Sequence, residues 1–326
     1  MTPHELPLER RTLHGHFSRD LPPVLAVHSG DTVAFATLDA GWGTEPPRAD
    51  GAARAHFEPR NELDRGHALV GPIEVRGAEP GHLLEVRIDR IRVGRWGWTI
   101  AGGWKTRLND HLGVSEGEER RLVWTLDPDE LVGHDQEGPR IRVRPFFGVL
   151  GMPSPEPGSH STFPPRSSGG NIDCKELVEG SRLLLPVPVP GALFSAGDGH
   201  AAQGDGEVSG LAIECPLERV ELTLTIRDDL RLETPVALTP AGWLTFGFGE
   251  DLDTAAAVAV DAMLDLLGRE LGIDRRDALA LASVVVDLRV TQLVNGVQGV
   301  PRDPLAECPG RPSRRLISPL VRRGGR

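Results

Sequence analysis

The chain has 326 residues, 39% of them hydrophobic, and a formal net charge of −11. That hydrophobic share is ample for a packed core and excludes wholesale disorder. The acidic balance repels phosphate backbones, and no basic patch with interleaved aromatics offsets it, so no nucleic-acid partner is expected.

Three widely spaced cysteines, Cys174, Cys215 and Cys308, make neither a zinc knuckle nor a disulfide framework. Tyrosine is absent, which excludes a tyrosine acid or nucleophile. The first residues, Met1 to Arg11, mix acids and bases without the apolar segment of a secretory signal. No apolar run approaches the roughly 18–20 residues that span a bilayer, so no membrane association is expected. The longest candidate, residues 255–267, is interrupted by Asp261 and Asp265. The expected location is the cytoplasm.

In chain order, residues 32–37 alternate after the turn Ser29-Gly30-Asp31 and predict a first strand. Residues 73–75 and 83–93 predict two more, on either side of the turn Gly77-Ala78-Glu79-Pro80-Gly81. Residues 148–210 are dense in Gly, Pro and small polar residues and predict a set of site-forming loops. Residues 220–226 alternate apolar and polar without interruption, a strand with one wet face. Further strands are predicted around residues 230–237 and 244–248. Thr254 is placed to cap a helix through about residue 267, with Val258, Ala262, Leu264 and Leu267 on its apolar side. A second helix is predicted from near Asp274 through Ala280 and Ala282, and residues 283–296 continue with a mixed pattern. The Arg/Pro/Gly-rich tail, residues 309–326, is expected to be mobile or to drape over another subunit. No repeat is visible, and residues 1–326 read as a single domain. The expected fold class is mainly β with α additions (α+β), a β-sandwich or barrel-like core with C-terminal helices.

The stretch Gly197-Asp198-Gly199-His200-Ala201-Ala202-Gln203-Gly204-Asp205-Gly206-Glu207 packs three acids, a histidine and a glutamine into eleven residues. On an extended chain Asp198 and His200 share a face, and so do Asp205 and Glu207. Imidazole and carboxylates converging on one point suit a hard or borderline metal ion. The competing interpretation is a glycine-rich surface turn with solvated acids. A second stretch, Pro164-Pro165-Arg166-Ser167-Ser168-Gly169-Gly170-Asn171-Ile172-Asp173-Cys174-Lys175, puts Asn171 and Asp173 on one face if extended, or is a loop with an Asx turn. His67, His82, His111, His134 and His160 are scattered and read as surface or packed residues.

Taken in order, these segments resemble the acetamidase/formamidase family. The resemblance runs through Ser29-Gly30-Asp31, Gly71-Pro72-Ile73, Gly77-Ala78-Glu79-Pro80-Gly81 and Pro145-Phe146-Phe147-Gly148-Val149-Leu150-Gly151. It continues through Gly169-Gly170-Asn171-Ile172-Asp173, Leu185-Pro186-Val187, Pro190-Gly191-Ala192-Leu193-Phe194, the Gly197 to Glu207 run and Asp287-Leu288-Arg289-Val290-Thr291-Gln292. It is stronger toward the acetamidase-type branch. Two departures are His82 after Gly81 and Gly199 between Asp198 and His200, and neither removes a proposed ligand. The resemblance implies a β-rich fold with helices toward the C-terminus, hydrolysis of formamide, acetamide or a close analogue, and a homodimer or higher homo-oligomer.

Amide cleavage requires an activated water, a stabilised oxyanion and a proton for the leaving nitrogen. Residue chemistry and motif position together assign Asp173, Asp198 and His200 as ligands of a divalent ion, expected to be zinc. Glu207, with Asp205 beside it, is a further ligand or the general base. Asn171 and Gln203 are expected to donate hydrogen bonds to the substrate carbonyl or to position the water. Two alternatives stay open: a metal-free amidase with Cys174 as nucleophile, and a non-catalytic binding protein whose acids hold a structural calcium.

Overall fold

The computed structural model of the chain describes residues 2–48, 52–58, 62–135 and 138–293, and the backbone of 298–304. The predicted alternation becomes strand because every second side chain is buried. In Leu217–Arg227, Val220, Leu222 and Leu224 are at most 1% exposed, while Arg219 and Glu221 hydrogen-bond to each other on the wet face. This strand runs antiparallel between Asp31–Phe35 and Leu83–Val93 in a nine-stranded sheet. The sheet continues through Arg182–Pro186, Val236–Thr239 and Gly242–Gly249 to Gln298–Pro304 and Val286–Leu288. A second sheet has the order Pro165–Arg166, Gly169–Asn171, Phe146–Gly151, Phe194–His200, Leu69–Val75, Leu13–His14. A four-stranded sheet includes the hairpin of Trp96–Ala101 with Arg120–Asp127.

One hydrophobic cluster draws Phe35, Val86 and Leu222 from the first sheet and Val70, Phe147 and Phe194 from the second. The core therefore lies between the sheets, as in a sandwich. Each fully buried side chain of this size contributes about 1.5–3 kcal/mol. Helices cover the nine-stranded sheet near its C-terminal strands. Leu252–Leu271 packs Met263, Leu264 and Leu267 against Val236 and Trp243, together with Ala278 and Ala282 of Arg275–Val285. A side chain at Gly247 would collide with the backbone of Ala255, so glycine permits this close approach. The fold class is the expected one.

Several boundaries differ from expectation. Asp251, not Thr254, caps the long helix: its Oδ1 accepts the Thr254 N–H at 2.8 Å and its Oδ2 accepts the Thr254 hydroxyl at 2.9 Å. Asp274 caps the second helix as expected. That helix ends at Val285, where a β-branched run passes into the short strand Val286–Leu288. The strand predicted from residue 230 starts only at Val236, directly after Pro235, which has no N–H for a ladder. Residues 309–326 lie outside the described residues.

The largest correction concerns residues 148–210. They supply Gly169–Asn171, Arg182–Pro186 and Phe194–His200, all strands. Their glycines serve close packing. A Cβ at Gly199 would meet Cys215 O at 2.6 Å, and one at Gly197 would meet Leu69 Cδ2 at 2.9 Å. Among the described residues no helix is long and apolar enough to cross a membrane.

Candidate active site

Phe194–His200 runs antiparallel between Phe146–Gly151 and Leu69–Val75, deep in its sheet. It carries Asp198 and His200, both at most 2% exposed. Asp198 adopts φ +60, yet the pair still converges, with Asp198 Oδ1 3.4 Å from His200 Nε2. Asp173 follows Gly169–Asn171 and is held there by the Gly148 carbonyl, which accepts N–H groups from Ile172 at 2.9 Å and Asp173 at 3.3 Å. Gly148 has no side chain because a Cβ there would run into Asp198 Oδ2 and lie 2.8 Å from His200 Cε1. The backbone thus leaves one open position where three candidate side chains meet.

Two clusters share His200. Asp173, Asp198 and His200 bring one ligand atom each within 4.8 Å of one another, and so do His200, Glu207 and Glu214. Glu214 is absent from the sequence-based assignment. It pairs with both His200 and Trp98 across neighbouring chain segments, which aligns the three side chains on one face. Its Oε2 lies 3.3 Å from His200 Nε2. The available signal was an acid inside the apolar run Leu211-Ala212-Ile213-Glu214-Cys215, where an unpaired charge is costly.

Asp173, Asp198 and Glu207 are three of the few non-glycine residues with positive φ, at +51, +60 and +44. A non-glycine residue held in such a region costs roughly 1–3 kcal/mol, a strain that concentrates at functional sites. Burial, reinforced by neighbouring acids, pushes the carboxyls of Asp173 and Glu207 well above the ordinary range. Burial also pushes Glu214 up, to about 7, against the opposing pull of His200. For Asp198 burial acts upward too, but His67 and His200 outweigh it and the carboxyl is lowered. Burial disfavours a charged His200, but Glu214 and Asp198 more than compensate and raise it.

The arrangement suits a divalent cation. Four buried carboxylates surround one buried imidazole, an excess of negative charge in a dry setting. Asp198 Oδ1, His200 Nδ1, Glu207 Oε2 and Glu214 Oε2 are buried without a hydrogen-bond partner among the described residues. Oxygen and imidazole donors match a hard or borderline ion.

The remaining sequence-predicted residues divide. Asn171 is 3% exposed and precedes Asp173 by two residues, with its Oδ1 buried and without a hydrogen-bond partner among the described residues. Gln203 cannot use its amide N–H groups on a substrate, because Nε2 donates to the carbonyls of Asp173 at 2.9 Å and Thr291 at 3.2 Å. Asp205 stands apart from Glu207. Gly206, at φ +91, turns the chain between them, and Asp205 accepts both oxygens' hydrogen bonds from Arg289 at 3.0 and 3.1 Å. Lys175 adds an ion pair to Asp205 at 3.0 Å. Cys174 is 1% exposed, and burial pushes its thiol up to about 12, the opposite of what a thiolate nucleophile needs.

His67, taken from sequence as a surface or packed residue, lies at the edge of the cluster. Its Nε2 is 3.9 Å from Asp198 Oδ2. Burial lowers its pKa against the upward pull of Asp198.

A model of the acetamidase/formamidase family matches residues 3–157 and 156–301. The chain is 28% identical over 252 residues to the formamidase of Methylophilus methylotrophus, covering 60% of each. Among solved structures, it superposes with a TM-score of 0.81 and 28% identity on one described as a predicted acetamidase/formamidase from Thermoanaerobacter tengcongensis, covering 93% of this chain and 96% of that one. The acetamidase from Bacillus halodurans gives a TM-score of 0.79 at 28% identity, covering 91% and 96%.

Proposed function

The chain belongs to the acetamidase/formamidase family, and from that premise we propose that it hydrolyses a short aliphatic amide to carboxylate and ammonia, using water activated at a divalent metal site. The observation that carries this is the buried junction of Asp173, Asp198, His200, Glu207 and Glu214.

In this proposal Asp173, Asp198, His200 and Glu214 hold the ion, with zinc the expected one. The ion, when bound, supplies Lewis acidity toward the amide carbonyl and lowers the pKa of water. Glu207 takes the proton of the attacking water. As the water oxygen bonds to the carbonyl carbon, Glu207 returns that proton to the amide nitrogen, and the C–N bond breaks to release ammonia. Burial raises the Glu207 carboxyl above its ordinary value, which favours its holding the proton between water and the amide nitrogen. Asn171 orients the water or the substrate amide. The site's burial excludes bulk water and favours small substrates.

The decisive experiment pairs metal analysis with ammonia release from formamide, acetamide and propionamide. Chelated, metal-free protein should lose activity and regain it with added zinc. Full turnover without metal would remove the metal from the mechanism. Silence on every short amide in the metal-replete state would favour a binding protein with a structural calcium. The homo-oligomer that membership of the family suggests is measured by light scattering of the purified chain, where a monomer would end that expectation.

A further inference from the structure

Exposure rises outward from the cluster along one line of side chains. Asp198 is 2% exposed, the His67 side chain 12%, and Phe163 48%. The rings of His67 and Phe163 lie 4.7 Å apart, centroid to centroid. A small molecule arriving at Asp198 by this line meets the His67 imidazole first.

The orientation of that imidazole is set from behind. Thr162, wholly buried, accepts the His67 backbone N–H at its Oγ1 at 3.0 Å, and the same Oγ1 lies 2.8 Å from His67 Nδ1. A hydroxyl that accepts one hydrogen bond has its own hydrogen to give, and Nδ1 is within reach. Donation to Nδ1 leaves the ring hydrogen on Nε2. The opposite tautomer would turn the bare lone pair of Nε2 toward the Asp198 carboxylate, an unfavourable pairing. The hydrogen-bond network therefore assigns the proton to Nε2. The imidazolium carries that proton as well, so the assignment does not depend on the charge of the ring. At 3.9 Å, Nε2 and Asp198 Oδ2 are too far apart for a direct hydrogen bond. The Nε2–H thus points at the cluster without being consumed by it.

We propose that His67 is a further catalytic residue, whose Nε2–H donates to the carbonyl oxygen of the small amide as it becomes an oxyanion. Thr162 is its positioning residue, and Phe163 forms the outer wall that limits the acyl group. This rests on the amidase activity proposed above. A preorganised donor of this kind acts where negative charge develops, so its loss appears mainly in kcat.

The test compares His67→Leu with His67→Gln in metal-replete protein, measuring kcat and KM on formamide and acetamide together with bound metal. Leucine keeps bulk but removes the donor, and kcat should fall by roughly 10²–10³-fold with metal content unchanged. Glutamine restores an N–H and should recover part of that loss. Thr162→Val should lower kcat by a smaller factor, and Phe163→Ala should shift relative kcat/KM toward bulkier amides. Wild-type kcat in His67→Leu would overturn the proposal. Loss of metal in step with activity would overturn it too, by making His67 a ligand. Nitrogen-15 NMR of labelled histidine in the unmodified protein reads the tautomer directly, independently of turnover. A neutral ring protonated on Nδ1 would refute the assignment even if the chain proved inactive on every amide, an outcome that would separately refute the amidase reading.

Discussion

Adding one methyl group at Gly148 tests whether the geometry of the cluster governs activity. Gly148 lacks positive φ, so alanine fits its backbone, and its carbonyl can keep both hydrogen bonds to Ile172 and Asp173. The new Cβ, however, would lie 2.8 Å from His200 Cε1 and 2.9 Å from Asp198 Cγ, with Asp198 Oδ2 closer still. Ordinary contact begins near 3.4 Å, so His200 must recede by about 0.6 Å and Asp198 by more. Both side chains are buried in a packed sheet, and overpacking of this kind costs about 1–3 kcal/mol. A misplacement approaching 1 Å at a reacting centre costs roughly 10²-fold in rate. Gly148→Ala should therefore remain folded, lose a modest part of its stability in urea, and show kcat/KM for ammonia release reduced by about two orders of magnitude. Gly204→Ala is the control: a Cβ there meets nothing within 4 Å, and both quantities should stay near wild type. Wild-type kcat/KM in Gly148→Ala would show that the cluster is not the reacting centre.

Arg289→Gln removes the guanidinium that ties Asp205 to Glu176 and should cost about 1–2 kcal/mol in urea unfolding, a charged hydrogen-bond contribution reduced for partial solvent exposure. Because the same segment holds Gln203 through Thr291, metal affinity should fall in this variant as well; unchanged stability and affinity would remove the clamp. Burial raises Glu176, but hydrogen bonds from Arg144 and Arg289 outweigh it and hold the carboxyl below its ordinary value. The unfolded chain therefore binds that proton first, so this stability is present above about pH 4.3 and is lost as pH falls through the lowered folded value. Urea midpoints from pH 7 to 3 should show an acid limb that is shallower in Arg289→Gln, and an equal limb in both proteins would contradict the assignment. Cys174→Ala should keep kcat within a few-fold, and the intact protein should resist alkylation at Cys174; an inactive but folded variant would revive the thiol mechanism.

Local chemistry made much of this protein legible without a structure. The alternation at residues 220–226 required a half-wet strand, Asp274 required a helix start, and Asp198 with His200 lay close enough in the chain to share a site whatever surrounded them. Residues 148–210 read as loops from sequence although they hold the strands Gly169–Asn171, Arg182–Pro186 and Phe194–His200, because glycine-rich stretches look alike in turns and in tightly packed strands. What distinguishes them is a neighbour, such as Cys215 against Gly199, that local spacing does not reveal. Glu214 and His67 reach the cluster through strand pairing and a contact with Thr162, from parts of the chain with no motif of their own. Asp205 and Glu207, adjacent in spacing, were separated by one glycine turn and an arginine from residue 289. Sequence determined which residue types were available and which short segments could hold them. Tertiary structure decided which met, because burial and long-range pairing, not proximity along the chain, set the distance between charges.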